Sequence, residues 1–364
     1  MARALLVVAA TMAALVVAIA LATAPAEAAS AMDFTELDLS SEESLWRLYE
    51  RWCAHYAVAR APGEKARRFT VFKESARLVH DFNQGGDALY KLGLNGFADT
   101  SDDEFSAYGL QCYDDDDTIA QQRTLDAGGS MHAAGDLPSE VDWRMMRYDG
   151  RPPAVTDVRV QRGCGSCWAF ATAAAVEGIV SIETNELRTL SVQQLLDCDT
   201  SNHGCRGGSP ARAFRYIKSS GGLASEDAYP YRATQGSCDK EAAASPPVAT
   251  IDGHQRVPPC DETALMAAVA AQPVVVGIRG SLSLKLYSGG IYRGPCGTRM
   301  SHAVAVVGYG VVHEDTRDKG SRYWLIKNSW GAQWGEDGYM RMTREGGKEG
   351  HCGILLRACY PVKG

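Results

Sequence analysis

Hydrophobic positions along this 364-residue chain follow two different periods. Up to about residue 272 they recur every three or four residues, the spacing of amphipathic helices. "SEESLWRLYERWCAHYAVA", from Ser41, opens with Ser and two Glu, a good helix start. "GEKARRFTVFKESARLVHDFNQGG" follows and closes on a Gly pair, a helix stop. Within it Glu64, Arg68, Phe72, Ser75, Val79 and Asn83 share one helical stripe. "YKLGLNGFADTSDDEF" then alternates like a strand and ends in an acidic turn. Further on, "SVQQLLDC" begins with a capping box, Ser191 and Gln194. "SPARAFRYIKSSGG" predicts a helix with a Gly stop, and "DETALMAAVAAQ" another. Beyond Pro273 the pattern becomes short, β-rich and bounded by Gly or Pro: "VVVGI", "GGIYRG", "HAVAVVGYG", "YWLIKNSW", "GYMRMTRE". Helices first and strands second predict an α+β molecule of two lobes with a cleft between them. No internal repeat is visible.

Composition divides the chain further. Up to Asp136 there are 11 Lys and Arg against 21 Asp and Glu, a net charge of −10; from Leu137 there are 26 against 23, a net of +3. Opposite charge on two blocks favours their attraction, and acid weakens it. No stretch is basic enough to suggest nucleic acid. Residues 1–28 combine an early Arg, an apolar run and A-x-A spacing, which predicts a secretory signal cut after Ala24 or Ala28. An uncleaved anchor is the alternative, but no basic flank follows the run. Residues 110–136, with "DDDD" and several Gly, read as an exposed, cleavable linker. The expected organisation is therefore a signal (1–28), a mainly helical segment (29–109), a linker (110–136) and a compact block (137–364). Entry into the secretory pathway makes disulfides expected among the eleven cysteines.

The sharpest chemical signal is "QRGCGSCWAFATAAAVEG". Its C-x-x-C, Cys164 and Cys167, can serve as a redox pair, half a zinc site or something else. Nucleophilic chemistry needs a thiolate, a base and a group that orients the base. Cys167 opens an Ala-rich helix, whose N-terminus favours a negative sulfur by about 0.3–2 kcal/mol, and an imidazolium lowers a thiol's pKa further. Of eight histidines, His302 is the best placed, heading a strand of the second lobe. Asn328 supplies an amide oxygen to hold the ring, and Trp330 covers that hydrogen bond. Taken alone, an Asn reads as a turn residue, and Trp330 and Trp334 as core.

"CGSCWAF", "HAVAVVGYG" and "KNSWGAQWGEDGY" together resemble the papain family of cysteine proteases over essentially all of residues 137–364. Residues 40–105 resemble that family's inhibitory prosegment, through the stripe above and through "GLNGFAD" at Gly93, Asn95, Phe97 and Asp99. The resemblance implies a papain-like fold, with a helical N-terminal lobe and an antiparallel, β-barrel-like C-terminal lobe. It implies a zymogen of a cysteine endopeptidase, with Cys167, His302 and Asn328 as the catalytic set. Gln161 would share the oxyanion with the Cys167 backbone N–H. It also implies pairs Cys164–Cys205, Cys198–Cys238 and Cys296–Cys352, with Cys167 left unpaired as the reagent. No cofactor or metal is expected. A thioredoxin-like reading lacks a βαβ unit after "AVTDVRV", and a zinc site is set aside with it.

By the same matching, Gly207 and Gly208 offer backbone to substrate, and Ser209, Pro210, Gly277, Met300, Ala303 and Arg357 line the pocket for the second residue before the cleaved bond. An open pocket with Arg357 at its base predicts tolerance of an acidic or polar side chain there; Arg357 turned to solvent is the alternative. The chain departs from the family at Ser301, where Asp or Asn usually precedes the His, and at Arg162 and Gly163, where Gly and Ser are usual. It also carries a polar insertion at 311–322. Cys260 and Cys359 lack partners in the common pattern; Cys53 and Cys112 lie outside the enzyme block. Expected partners are protein or peptide substrates, the chain's own prosegment and cystatin-like inhibitors. The processed molecule is expected to be a monomer, off the membrane, in the vacuole, lysosome or extracellular space. The chain ends "YPVKG", without a retention tail, and has no N-x-[ST] sequon. Two other functions use the same residues differently: a catalytically silent binding protein on this fold, and a prosegment that acts separately as an inhibitor.

Overall fold

A computed structural model describes residues 31–86, 88–109, 137–145, 150–243, 247–314 and 316–364. The expected signal (1–28) and linker (110–136) lie outside the described residues.

The first block is built on two helices, α1 (Glu42–His55) and α2 (Pro62–Gln84). Ser41 caps α1 by accepting from the Ser44 N–H, and α2 ends at Gly85. The two pack through an aromatic cluster: Trp52 lies against Tyr49, Tyr56 and Phe72 with ring centroids 5.8, 5.5 and 5.5 Å away. Of the predicted stripe on α2, Phe72, Ser75 and Val79 are buried, and Asn83 clamps both backbone groups of Leu92. Only Tyr90–Leu92 of the alternating stretch forms a strand, β1. The acidic segment after it is a helix, α3 (Asp102–Gly109), not a turn. Ser101 and Glu104 form a reciprocal cap there: the Glu104 N–H donates to Ser101 Oγ, and the Ser101 N–H to Glu104 Oε2.

The N-terminal lobe of the second block is helical. Its centre is α4 (Cys167–Thr184), with 15 of its 18 residues buried. Ala at five positions lets it pack closely on all sides, and Asn185 in the left-handed conformation ends it. Around it lie α5 (Val192–Cys198), α6 (Pro210–Ser220) and a short α7 (Lys240–Ala243). Ser191 caps α5 as expected, but the Gln194 side chain does not return the bond; its oxygen accepts from the Ala224 N–H instead.

The C-terminal lobe holds α8 (Glu262–Ala271), capped by Asp261, and most of one nine-stranded sheet. Its strands are β2 (Val141–Asp142), β3 (Gly253–Val257), β4 (Val274–Ile278), β5 (Tyr287–Tyr292), β6 (His302–Val311), β7 (Arg322–Lys327), β8 (Tyr339–Thr343) and β9 (Ala358–Val362). The order is β1-β5-β8-β7-β6-β4-β9-β3, with β2 paired to β6. The ladder does not close, and β5 and β8 run parallel, so the antiparallel, barrel-like expectation holds only for the remaining pairs. The polar insertion joins β6 to β7 as an exposed loop pinned by Val312 and Ser321.

The prosegment supplies one edge of that sheet. β1 pairs antiparallel with β5, and the Gly93 N–H donates to the Leu286 carbonyl. A Cβ on Gly93 would lie 2.5 Å from Ala31 Cβ and 2.8 Å from Ser288 Cβ, so only glycine allows this approach. Asn95 donates to the carbonyls of Lys285 and Tyr287. Asp99 is fully buried, bonded by Tyr49 and Arg60.

Trp52 is fully buried and its Nε1 donates to the Asn95 carbonyl, tying the helical cluster to the docking loop. Trp52→Ala is expected to destabilise the prosegment by about 3–5 kcal/mol. Hydrogen exchange on the full precursor measures this: α1 and α2 amides lose protection while β6 and β7 amides keep theirs. Unchanged protection in α1 and α2 would contradict it.

Candidate active site

The site forms where α4 meets the sheet. α4 packs against β6, and the first residues of both elements come together. The Ala303 N–H donates to Cys167 Sγ at 3.3 Å, which puts His302, the residue before it, beside the sulfur. His302 is fully buried, and its Nε2 lies 2.9 Å from Asn328 Oδ1, placing the N–H on that nitrogen and leaving Nδ1 for proton transfer. Asn328 Oδ1 also accepts from the Ser329 N–H. Trp330 stacks on the imidazole at 4.8 Å and 24°, shielding the His302–Asn328 bond from water. Its own Nε1 is buried without a hydrogen-bond partner among the described residues.

Gln161 is held from both ends. Its N–H and the Ser329 carbonyl pair the backbones, its Oε1 accepts from Ser329 Oγ at 2.7 Å, and its Nε2 donates to the Cys164 carbonyl. Sequence reasoning missed the residue that supports it. Tyr231 Oη donates to the Gln161 carbonyl at 2.6 Å and meets Ser166 Oγ at 2.8 Å, just before α4 begins. Burial pushes the Tyr231 hydroxyl up to about 12, so it stays a donor at every physiological pH. Nothing in "AYPYRA" marks that role.

Disulfides join Cys164 to Cys205, Cys198 to Cys238 and Cys296 to Cys352. Cys53, Cys260 and Cys359 are in no disulfide, so Cys260 and Cys359 do not pair with each other. Cys167 is also disulfide-bonded, where the resemblance implies an unpaired sulfur. A sulfur in a bridge carries no proton to lose and cannot become a thiolate, so in this state it is not nucleophilic. Cys296, Cys352 and His351 cluster closely enough to suggest a metal, but the Cys296–Cys352 bridge consumes two of the three ligands.

Of the residues matched to the substrate pocket, Ala303 adjoins the Cys167 sulfur. Ser209, Pro210, Met300 and Ala303 are buried, and Gly277 pairs with Ala303 across β4 and β6. The Gly277 N–H donates to the Arg357 carbonyl, which brings the Arg357 backbone to the same spot. Gly207 has φ of 112°, a conformation only glycine adopts readily. Its N–H donates to Gly204 and its carbonyl accepts from His203. Ser301 turns its hydroxyl toward the Gly280 carbonyl. Arg162 is exposed with φ of 53°.

The prosegment lies over the site. Phe105 and Phe97 meet Trp330 edge-on at 5.1 and 6.2 Å. Lys285 Nζ donates to Asp102 and to the Thr100 carbonyl, fixing the start of α3.

Comparison with known proteins agrees with this geometry. Residues 137–362 match the papain family cysteine protease model, and residues 49–105 match the cathepsin propeptide inhibitor domain. The chain belongs to the papain family of cysteine proteases. It is a cysteine-type endopeptidase carrying its inhibitory prosegment. It is 49% identical to the cysteine endopeptidase Rep1 of Oryza sativa subsp. japonica, over 96% of this chain and 92% of that one. It is 44% identical to the KDEL-tailed cysteine endopeptidase CEP2 of Arabidopsis thaliana, over 93% and 91%. The proform of the ragweed pollen allergen Amb a 11, a cysteine protease, superposes with a TM-score of 0.80 at 40% identity, over 91% of this chain and 98% of that one.

The masked sulfur is directly measurable. In precursor denatured without reductant and alkylated, peptide mapping should find Cys53, Cys260 and Cys359 modified and Cys167 unmodified. Prior reduction should make Cys167 alkylatable. Modification of Cys167 without reductant would contradict the bridge.

Proposed function

We propose that this chain is a secretory-pathway zymogen whose reduced, processed form cleaves peptide bonds by thiolate attack from Cys167. The observation that carries this reading is the meeting of Cys167, His302 and Asn328 where α4 abuts β6. An external dithiol reductant frees Cys167 by thiol–disulfide exchange, leaving both sulfurs of the bridge as thiols and the reductant as a disulfide, and His302 takes the Cys167 proton to give a thiolate–imidazolium pair. The sulfur attacks the peptide carbonyl carbon. The oxygen becomes an oxyanion held by the Cys167 N–H and the Gln161 side-chain amide. The tetrahedral species collapses, the C–N bond breaks, and His302 gives its proton to the leaving amine. A thioester remains. Water, deprotonated by His302, attacks it; the acid departs and the thiolate returns. Asn328 keeps the imidazole in the orientation that both transfers need.

Gly208 is the better candidate for backbone pairing with substrate, because Gly207 spends its N–H and carbonyl on Gly204 and His203. Arg357 confers tolerance of acidic side chains in the pocket of Gly277 and Met300. The route is secretory, ending in the vacuole, lysosome or extracellular space, and the processed enzyme is a monomer open to cystatin-like inhibitors.

Acid releases the prosegment. The sensitive groups surround Arg68. Its hydrogen bond holds the Glu64 carboxyl below the ordinary carboxylate range. For Glu104, burial works upward, but the Ser101 amide and Arg68 together lower it. Carboxylates depressed in this way stabilise the fold above their ordinary values near ~4.3, and that stability is lost as pH falls through the lower folded values. Lys285 and Asp102 form an ion pair across the interface.

A peptide-cleavage assay on processed, reduced enzyme tests the chemistry. Cys167→Ser should abolish turnover, Gln161→Ala should lower kcat by about 10²–10³, and Arg357→Ala should lose acceptance of acidic second residues. Full activity in Cys167→Ser, or an unchanged preference in Arg357→Ala, would contradict the respective assignment. Precursor processing should run faster at pH 4 than at pH 7, and equal rates would contradict acid release.

A further inference from the structure

The two lobes share a buried charged chain that the peptide-cleaving steps do not use. Lys327 ends β7, one residue before Asn328, and is buried. Its Nζ donates to Thr156 Oγ1 at 2.8 Å, and Thr156 Oγ1 donates to Glu177 Oε2 at 2.7 Å. Glu177 sits fully buried in the middle of α4, the helix that begins with Cys167. Its other oxygen accepts from Arg159 Nη2 and from the Leu190 N–H. Arg159 continues to Glu226 at 3.0 Å. Hence the strand carrying Asn328 and the helix carrying Cys167 are tied through three side chains.

We propose that Lys327 is a positioning residue for the proteolytic reaction: through Thr156 it anchors the β7 end to Glu177 on α4 and so fixes Asn328, and with it His302, relative to Cys167. This inference rests on the catalytic assignment above.

Chemistry explains why an ammonium stands there. Isolated charge in a protein interior is costly, and a Lys can shed its proton to avoid the cost. Burial lowers the Lys327 amine to about 8, while Glu177 works to keep it charged. The other groups around it are Arg159 and Asp157 on the segment before α4 and Tyr339 opposite it on β8. Arg159 opposes the charge; Asp157 supports it. Tyr339 is pushed up to about 12 by burial and stays neutral through this range.

The sign of the linkage separates positioning from plain structural support. Because the folded value lies below that of an exposed lysine, the unfolded chain binds more protons between pH 8 and about 10.4. Loss of the Lys327 proton therefore does not lower global stability. It removes the charge that attracts the β7 end to Glu177. Activity should fall as pH rises through 8 while this group makes no loss in stability.

The test measures kcat, KM and thermal stability against pH for processed wild type, Lys327→Met, Lys327→Arg and Thr156→Val, with Cys167→Ser alongside. The inference expects Lys327→Met to lower kcat by about 10- to 100-fold at pH 6 with KM unchanged, the size of effect that small misplacements of a reacting pair produce. It expects Lys327→Arg to recover much of that loss and to carry activity to higher pH than wild type. Thr156→Val should lower kcat several-fold, which keeps the test decisive if either Lys327 variant fails to fold. Wild-type kcat in Lys327→Met or in Thr156→Val overturns the inference, as does an alkaline limb unmoved in Lys327→Arg. With Cys167→Ser inactive, such a result leaves the catalytic reading intact. Activity in Cys167→Ser removes that reading and this inference together.

Discussion

One packing contact governs this molecule: the N-terminal end of α4 against the first residues of β6. α4 belongs to the helical lobe and β6 to the sheet, yet Ala303 donates its N–H to Cys167 Sγ. Every other feature of the site is arranged around that meeting. The Ala-rich sequence of α4 allows the close approach, because side chains longer than methyl would hold the sheet away. Residues of the two lobes then interlock on either side: Gln161 pairs with Ser329 through backbone and side chain, and Lys327 reaches Glu177 through Thr156.

The prosegment exploits the same junction. Its strand β1 completes the sheet edge at β5, and its aromatic residues Phe97 and Phe105 rest on Trp330, the ring that covers His302. Inhibition and catalysis therefore share one tryptophan. The prosegment's helices are held together by a charged cluster around Arg68, with Glu64, Asp99 and Glu104. A domain of three helices and a three-residue strand has a small core of its own, so its stability depends on remaining docked.

Much of this was legible in the chain. The β-rich runs bounded by Gly or Pro after Pro273 located β4 in full and β6 to within one residue, and the Gly stop after Ser220 ended α6 where it was expected. The spacing of Glu64 to Asn83 placed one prosegment face, since side chains three and four apart must line up on a helix. What escaped was of two kinds. The acidic run at 102–104 read as a turn because its charges masked a Ser101–Glu104 cap, although that cap signal is local and present. Tyr231 and the Lys327–Thr156–Glu177 chain were invisible for a deeper reason. Their partners lie 70, 171 and 21 residues away, and periodicity carries no information about which distant polar groups meet. The bridged state of Cys167 escaped likewise, because spacing identifies a nucleophile but not its oxidation state.

The account stands or falls on the ionisation of one thiol. Its most direct test is the rate of Cys167 alkylation against pH in the reduced, processed enzyme, compared with His302→Ala. The account predicts a Cys167 thiolate at neutral pH, with a titration midpoint well below the ~8.5 of an ordinary cysteine, and a midpoint raised toward that value when His302 is removed. A midpoint at the ordinary value in the wild type, or one indifferent to His302, would contradict it.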